Sequence, residues 1–96
     1  MICDFCNAPN PVWRFRAEPF VVDYGPMAGV SDADWAACDA CRDLILADDY
    51  NGLVDRAMQM APVIHDLAEF EVRELRRWSH RLFFTHRVHC DPVPIA

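Results

Sequence analysis

Four cysteines fall in two identical spacings, Cys3-Asp4-Phe5-Cys6 and Cys38-Asp39-Ala40-Cys41. A C-x-x-C turn holds two sulfurs on one side. Two such turns supply four soft thiolate donors, the set that a structural zinc ion takes in tetrahedral geometry. The 31 residues between Cys6 and Cys38 leave room for a β-hairpin between the two knuckles. The expectation is one structural Zn2+ per chain, held by Cys3, Cys6, Cys38 and Cys41. Four thiolates close the shell and leave no open position for substrate, so no enzymatic role is expected. The competing chemistry is redox, because Cys38 and Cys41 stand at a helix start, where a C-x-x-C dithiol can cycle as a disulfide. The pattern lacks the βαβ setting of such dithiols and the second pair already has a partner pair. Redox chemistry is therefore retained only as a zinc-linked switch.

Other reactive residues are weaker signals. His65-Asp66 is a His-Asp pair, but it lies beyond both knuckles and no acidic cluster joins it by spacing, which argues against metal-assisted hydrolysis. His80, His86, His89 and Cys90 resemble a second metal set, yet surface histidines near a helix C-terminus are ordinary partners of its dipole. Arg73, Arg77, His80, Phe84 and Arg87 recur at spacings of four, three, four and three, one face of a helix. That face could stack and neutralise nucleic acid. Glu69 and Glu74 offer the arginines local partners, which favours a solvated face instead.

These groups need elements to position them. Val12–Ala17 alternates, with Trp13 and Phe15 opposite Arg14 and Arg16, and Phe20, Val22 and Tyr24 alternate after Pro19. The two runs are expected to pair as a hairpin around Glu18-Pro19, with Gly25–Gly29 as a loop. Ser31-Asp32-Ala33-Asp34 has a helix-start pattern that would carry Trp35 inward. Asp39 is expected to cap a helix over about 40–47, followed by a second helix over about 53–60. A third helix is expected from Pro62 or Val63 to about Arg87. Its apolar stripe comprises Ile64, Leu67, Ala68, Val72, Leu75, Trp78, Ser79, Leu82 and Phe83. Trp13, Trp35 and Trp78 are expected in the core. Phe70 and Phe84 lie off the stripe and, with Arg73 and Arg77, are the candidate protein-binding residues. A helix of about 25 residues spans roughly 38 Å, longer than a small zinc module can cover. A partner helix, most simply a homodimer through this helix, is the corresponding expectation.

Composition sets further bounds. The chain has 96 residues, 53% of them hydrophobic, and a formal charge of −6. A chain this short has limited core, and a metal supplies folding energy that burial cannot. Residues 1–55 carry ten Asp or Glu against three Arg, and residues 56–96 carry five against six. An acidic module therefore precedes an Arg-bearing helical part, and nucleic acid is the lesser expectation. All nine basic residues are Arg, which fits a high-GC coding bias. The start Met1-Ile2-Cys3 carries no secretory pattern and no apolar run suits a membrane span. A reducing cytoplasm is the expected location.

Knuckle, hairpin, then a second knuckle at a helix start is the order of a treble clef. Over roughly residues 1–50 the chain resembles the treble-clef/zinc-ribbon superfamily. The opening "MICDFC" and the later "WAACDAC" resemble small uncharacterised zinc proteins of high-GC bacteria and their phages. The resemblance implies Cys3, Cys6, Cys38 and Cys41 as ligands and an α+β zinc-stabilised fold. On that view 1–50 is the treble-clef module, 51–90 a helical extension and 91–96 a Pro-rich tail. Treble clefs serve many unrelated functions. The expected role is a non-enzymatic adaptor or regulator that binds another protein, in a phage setting a host protein. Acidic Asp43, Asp48 and Asp49 are further candidate contacts. The alternatives are a transcription-associated nucleic-acid binder using the Arg face, or the zinc-linked redox switch.

Overall fold

The computed structural model describes residues 1–22, 29–31 and 34–95. They form a small α+β unit of three helices and short antiparallel strands. In chain order these are β1 (Trp13–Arg16), β2 (Phe20–Val22), β3 (Gly29–Ser31), β4 (Asp34–Ala37), α1 (Asp39–Leu46), α2 (Tyr50–Met60), α3 (Glu69–His86) and β5 (Val93–Pro94). One sheet has the order β4-β1-β5, and β2 pairs with β3 in a separate ribbon.

The expected pairing of β1 with β2 does not form. A strand has two edges, and both edges of β1 are taken by residues distant in sequence. Along one edge Trp13 faces Ala37 and Arg16 faces Asp34. Along the other, Trp13 and Arg14 face Pro94 and Val93, and Ala17 bridges Arg87. The Glu18 N–H donates to His86 O at 2.7 Å and the Val88 N–H to Arg16 O at 3.0 Å. The chain after β1 is thus tied to the end of α3, and β2 pairs with β3 instead, Phe20 opposite Ser31. Tyr24 and residues 25–28 lie outside the described residues. So do Asp32 and Ala33 of the expected helix start. Asp34 and Trp35, which follow them, are strand, not helix. The Asp4 N–H donates to Ala36 O at 2.8 Å, and the Ala36 N–H donates to Asp4 Oδ2 at 2.6 Å. Non-local pairing outweighs a local helix signal here.

Helix α1 begins at Asp39, with Cys38 as its cap residue. It ends at Leu46, and Asp48 then takes a left-handed φ of 53°. Asp49 caps α2 through a 2.9 Å bond from the Gly52 N–H. A Cβ at residue 52 would collide with that carboxylate, so the cap needs glycine there. Helix α3 starts at Glu69, later than the expected Pro62 or Val63. Asp66 has a φ of 66°, which breaks any earlier helix. The Glu71 carboxylate then accepts the Ala68 N–H at 2.9 Å and sets the start. Eighteen residues give α3 a length of about 27 Å.

The core joins the first knuckle to α3. Phe5 and Phe83 are wholly buried with ring centroids 4.9 Å apart, edge to face. Phe15, Ala37, Ile45, Leu53 and Ala57 complete it, with Trp13 and Trp35 packed at its margin. Trp78 does not join the core and is 37% exposed. The buried line of α3 runs through Val72, His80 and Phe83. Val72 and Phe83 belong to the expected stripe, whereas His80 does not, because the helix also turns polar residues toward polar needs. His80 meets the Phe5 carbonyl, and Arg76 donates to Ala61 O at 3.1 Å.

Candidate metal centre

The first knuckle is made by backbone geometry that its residues favour. The Cys3 N–H donates to Ala8 O, the Asn7 N–H donates to Cys3 O, and Ile2 bridges Pro9. The reversal needs a left-handed residue, and Asn7 supplies it at φ 64°. Asparagine tolerates that region better than most residues. The second knuckle is the junction of β4 and α1. Cys38 precedes the helix and Cys41 lies in its first turn. The Asp4 and Ala36 bonds lock the two knuckles side by side.

The fold brings Cys3, Cys6, Cys38 and Cys41 together with their sulfurs all within 4.8 Å of one another. Tetrahedral zinc with Zn–S bonds of about 2.3 Å requires sulfurs about 3.8 Å apart. The Cys6 and Cys38 sulfurs are 3.7 Å apart. The donor set and its spacing fit one such ion. Cys3, Cys6 and Cys41 are wholly buried, while Cys38 is partly exposed.

Protonation within the cluster is uneven. Cys41 shares a hydrogen bond with Cys3, and backbone bonds from Cys38, Phe5 and Cys6 add to it, which lowers the Cys3 thiol to about 4. The same bond, with burial, pushes Cys41 strongly up. Burial also pushes Cys6 up. Without a cation the cluster therefore holds protons in its interior, and a bound divalent metal would replace them.

Two residues that were not expected at the cysteines support the centre. Arg56 of α2 points Nη2 at Cys38 Sγ, 3.8 Å away. The facing thiolates, Cys38 first, raise its already high pKa further. A cation there offsets the charge of a tetrathiolate site. Its Nε is buried and makes no hydrogen bond. His80 of α3 is 1% exposed and its Nε2 lies 3.0 Å from Phe5 O. A carbonyl only accepts, so Nε2 carries the proton and donates. Burial lowers the His80 pKa and keeps the ring neutral. His80 thus pins the middle of the first knuckle from 75 positions away. For Arg56 the legible signal was a charged residue inside the apolar spacing of α2, where Leu53, Val54, Ala57 and Met58 are buried. For His80 there was only a helical position one turn before Phe84.

The expected open Arg and aromatic face of α3 is largely a packed seam. Arg73 donates to Asp55 Oδ1 at 2.8 Å, Arg77 pairs with Glu74, and the Tyr50 hydroxyl donates to Arg77 O at 2.7 Å. Phe84 is half-buried, edge to face with Tyr50 at 5.9 Å, not the exposed aromatic that was expected. Arg87 donates to Ile45 O and Asp48 Oδ1. Phe70 stands apart at 71% exposed. Of the acidic candidates, Asp43 pairs with Arg42, Asp48 with Arg87, and Asp49 caps α2. His65 and Asp66 form an exposed pair 3.5 Å apart. His86 bonds Leu82 O and stacks on Phe20, while His89 and Cys90 are exposed. Among the described residues, only the four cysteines gather as a set of three or more metal-binding side chains. Among them too, no helix is long and apolar enough to cross a membrane.

Compared with protein-family models, curated proteins and solved structures, the chain matches none. The bacterial and phage resemblance accordingly gains no support from these comparisons.

Proposed function

We propose that the chain is a treble-clef zinc module that serves as a non-enzymatic adaptor or regulator by binding another protein. The treble-clef reading is supported by the order of parts: a knuckle at Cys3 and Cys6, the β1–β4 pairing, then Cys38 and Cys41 at the start of α1. Zinc is supported by four sulfurs within 4.8 Å of one another, with the Cys6–Cys38 pair at 3.7 Å. The observation that carries the binding role is the apolar surface where α2 passes into α3. Met60, Val63, Leu67 and Phe70 are 44%, 80%, 37% and 71% exposed within eleven residues. Residues 57–72 carry Asp66, Glu69 and Glu71 and no Arg or Lys, so a basic partner with apolar side chains suits this surface. The Arg face of α3 is less suited to nucleic acid, because Arg73, Arg77 and Arg87 are each paired with a carboxylate.

The test is quantitative capture from lysate of the source cells by the wild type and by Phe70→Ala, with zinc content measured on both. A protein retained by the wild type and lost from the variant, at equal zinc, supports the reading. Equal retention by both removes Phe70 from it. Micromolar retention of DNA or RNA near physiological salt, steeply weakened by added salt, would replace it with the nucleic-acid alternative.

A further inference from the structure

The four sulfurs are not equivalent. Cys3, Cys6 and Cys41 are sealed in the interior, and Cys38 alone of the four is partly exposed. Its sulfur touches that of Cys6 at 3.7 Å and faces the Arg56 guanidinium at 3.8 Å. The Cys6–Cys38 contact thus joins the one partly exposed cysteine of the centre to a buried one, and it spans the two knuckles instead of lying within one.

We propose that Cys38 is an oxidation site through which a hydroperoxide opens the metal centre, with Cys6 as the resolving thiolate. The Cys38 thiolate attacks one peroxide oxygen: an S–O bond forms, the O–O bond breaks, and hydroxide leaves. Cys38 is oxidised by two electrons to the sulfenic acid and the peroxide is reduced. The Cys6 thiolate then attacks the Cys38 sulfur, the S–S bond forms, the S–O bond breaks, and a second hydroxide leaves. In sum, two thiolates and one hydrogen peroxide give one disulfide and two hydroxides. Arg56 favours the first step, because its guanidinium lies 3.8 Å from the Cys38 sulfur and faces the negative charge that develops on the departing oxygen. Two of four donors are then lost, and Cys3 and Cys41 alone hold zinc poorly. The new bond keeps the first knuckle joined to the start of α1, so a dithiol reductant restores the site. This inference rests on metal occupancy of the cysteine cluster and on no partner.

The test uses the full chain carrying Cys90→Ser, which removes the exposed free thiol outside the cluster. The zinc-loaded protein is treated with equimolar hydrogen peroxide, with dimedone present in one arm, and followed by a chromogenic zinc chelator and peptide mass mapping. Expected are the first dimedone adduct on Cys38, one zinc released per peroxide consumed, Cys6–Cys38 as the main disulfide, and zinc uptake regained after dithiothreitol. A first adduct on Cys3, Cys6 or Cys41, a main disulfide within one knuckle, or retention of zinc under excess peroxide would overturn the proposal. Failure to take up zinc at all defeats both this inference and the zinc reading. Loaded protein that resists peroxide defeats the inference alone.

Discussion

Replacing Phe83 with alanine tests whether α3 holds the first knuckle in place. Phe83 is wholly buried. Its ring lies 4.9 Å from Phe5, 6.0 Å from Phe15, 5.3 Å from Trp35 and 5.5 Å from Phe84, centroid to centroid. Emptying such a site costs about 3–5 kcal/mol, a figure that already includes the ring–ring contacts. Small domains are stable by only about 5–15 kcal/mol, so a loss of about 4 kcal/mol is a large fraction of the total. With a urea dependence of about 1.5 kcal/mol per molar, the midpoint should fall by about 2–3 M. Phe5 sits between Cys3 and Cys6, so the same change should loosen the sulfur cluster. Metal that binds only the folded chain restores stability in proportion to the logarithm of its concentration. Urea unfolding followed by circular dichroism, with and without zinc, measures both effects. Phe83→Ala should unfold at much lower urea, regain part of the loss with zinc, and yield zinc more readily to a competing chelator. Phe70→Ala, at a side chain 71% exposed, serves as the control and should change stability by less than about 0.5 kcal/mol. A Phe83→Ala loss below about 1 kcal/mol, or one equal to that of Phe70→Ala, would refute the placement of α3 on the knuckle.

Two further outcomes follow from the residues around the cysteines. Arg56→Met removes the cation facing Cys38 and should weaken zinc binding about tenfold in chelator competition, the size of one charge-assisted bond, with Arg56→Lys intermediate. Unchanged affinity in both would show that the guanidinium contributes nothing to the site. His80 has a lowered pKa in the fold, so the unfolded chain takes up its proton first as pH falls. The stability it supports is complete above about pH 6.5 and is lost progressively as pH drops below that value toward the folded pKa. Wild type and His80→Gln, whose amide can still donate to Phe5 O, should therefore converge in their relative stability as pH falls from about 7.5 to about 5.5. Measuring the difference between the two cancels acid-driven metal loss common to both. Parallel profiles would mean that His80 does not titrate as its burial requires.

Phe84 and Phe70 show what a helix wheel can and cannot do. Both were expected on an outward line of α3. Phe70 is open, because it lies in the first turn, where α3 emerges from the exposed 62–68 segment. Phe84 is half-buried, because that end of the helix meets Tyr50 and Arg87. The wheel orders side chains around an axis, and only the neighbours decide which angle faces inward. Arg73 and Arg87 were placed on the same line, and their carboxylate partners, Asp55 and Asp48, lie 18 and 39 positions away.

Sequence alone determined the local features: two C-x-x-C turns, a helix opening at the second, and two further helices beyond it. Each depends on residues within a turn or two of one another, where spacing and capping act directly. Tertiary structure decided what depends on distant partners. It chose β4, β5 and the end of α3 as the neighbours of β1 in place of β2, turned Ser31 and Asp34–Ala37 into strand, and aimed Arg56 and His80 at the cysteine knuckles. A strand edge or a buried donor is satisfied by whichever group the whole chain brings to it, and the sequence around that donor does not identify the group.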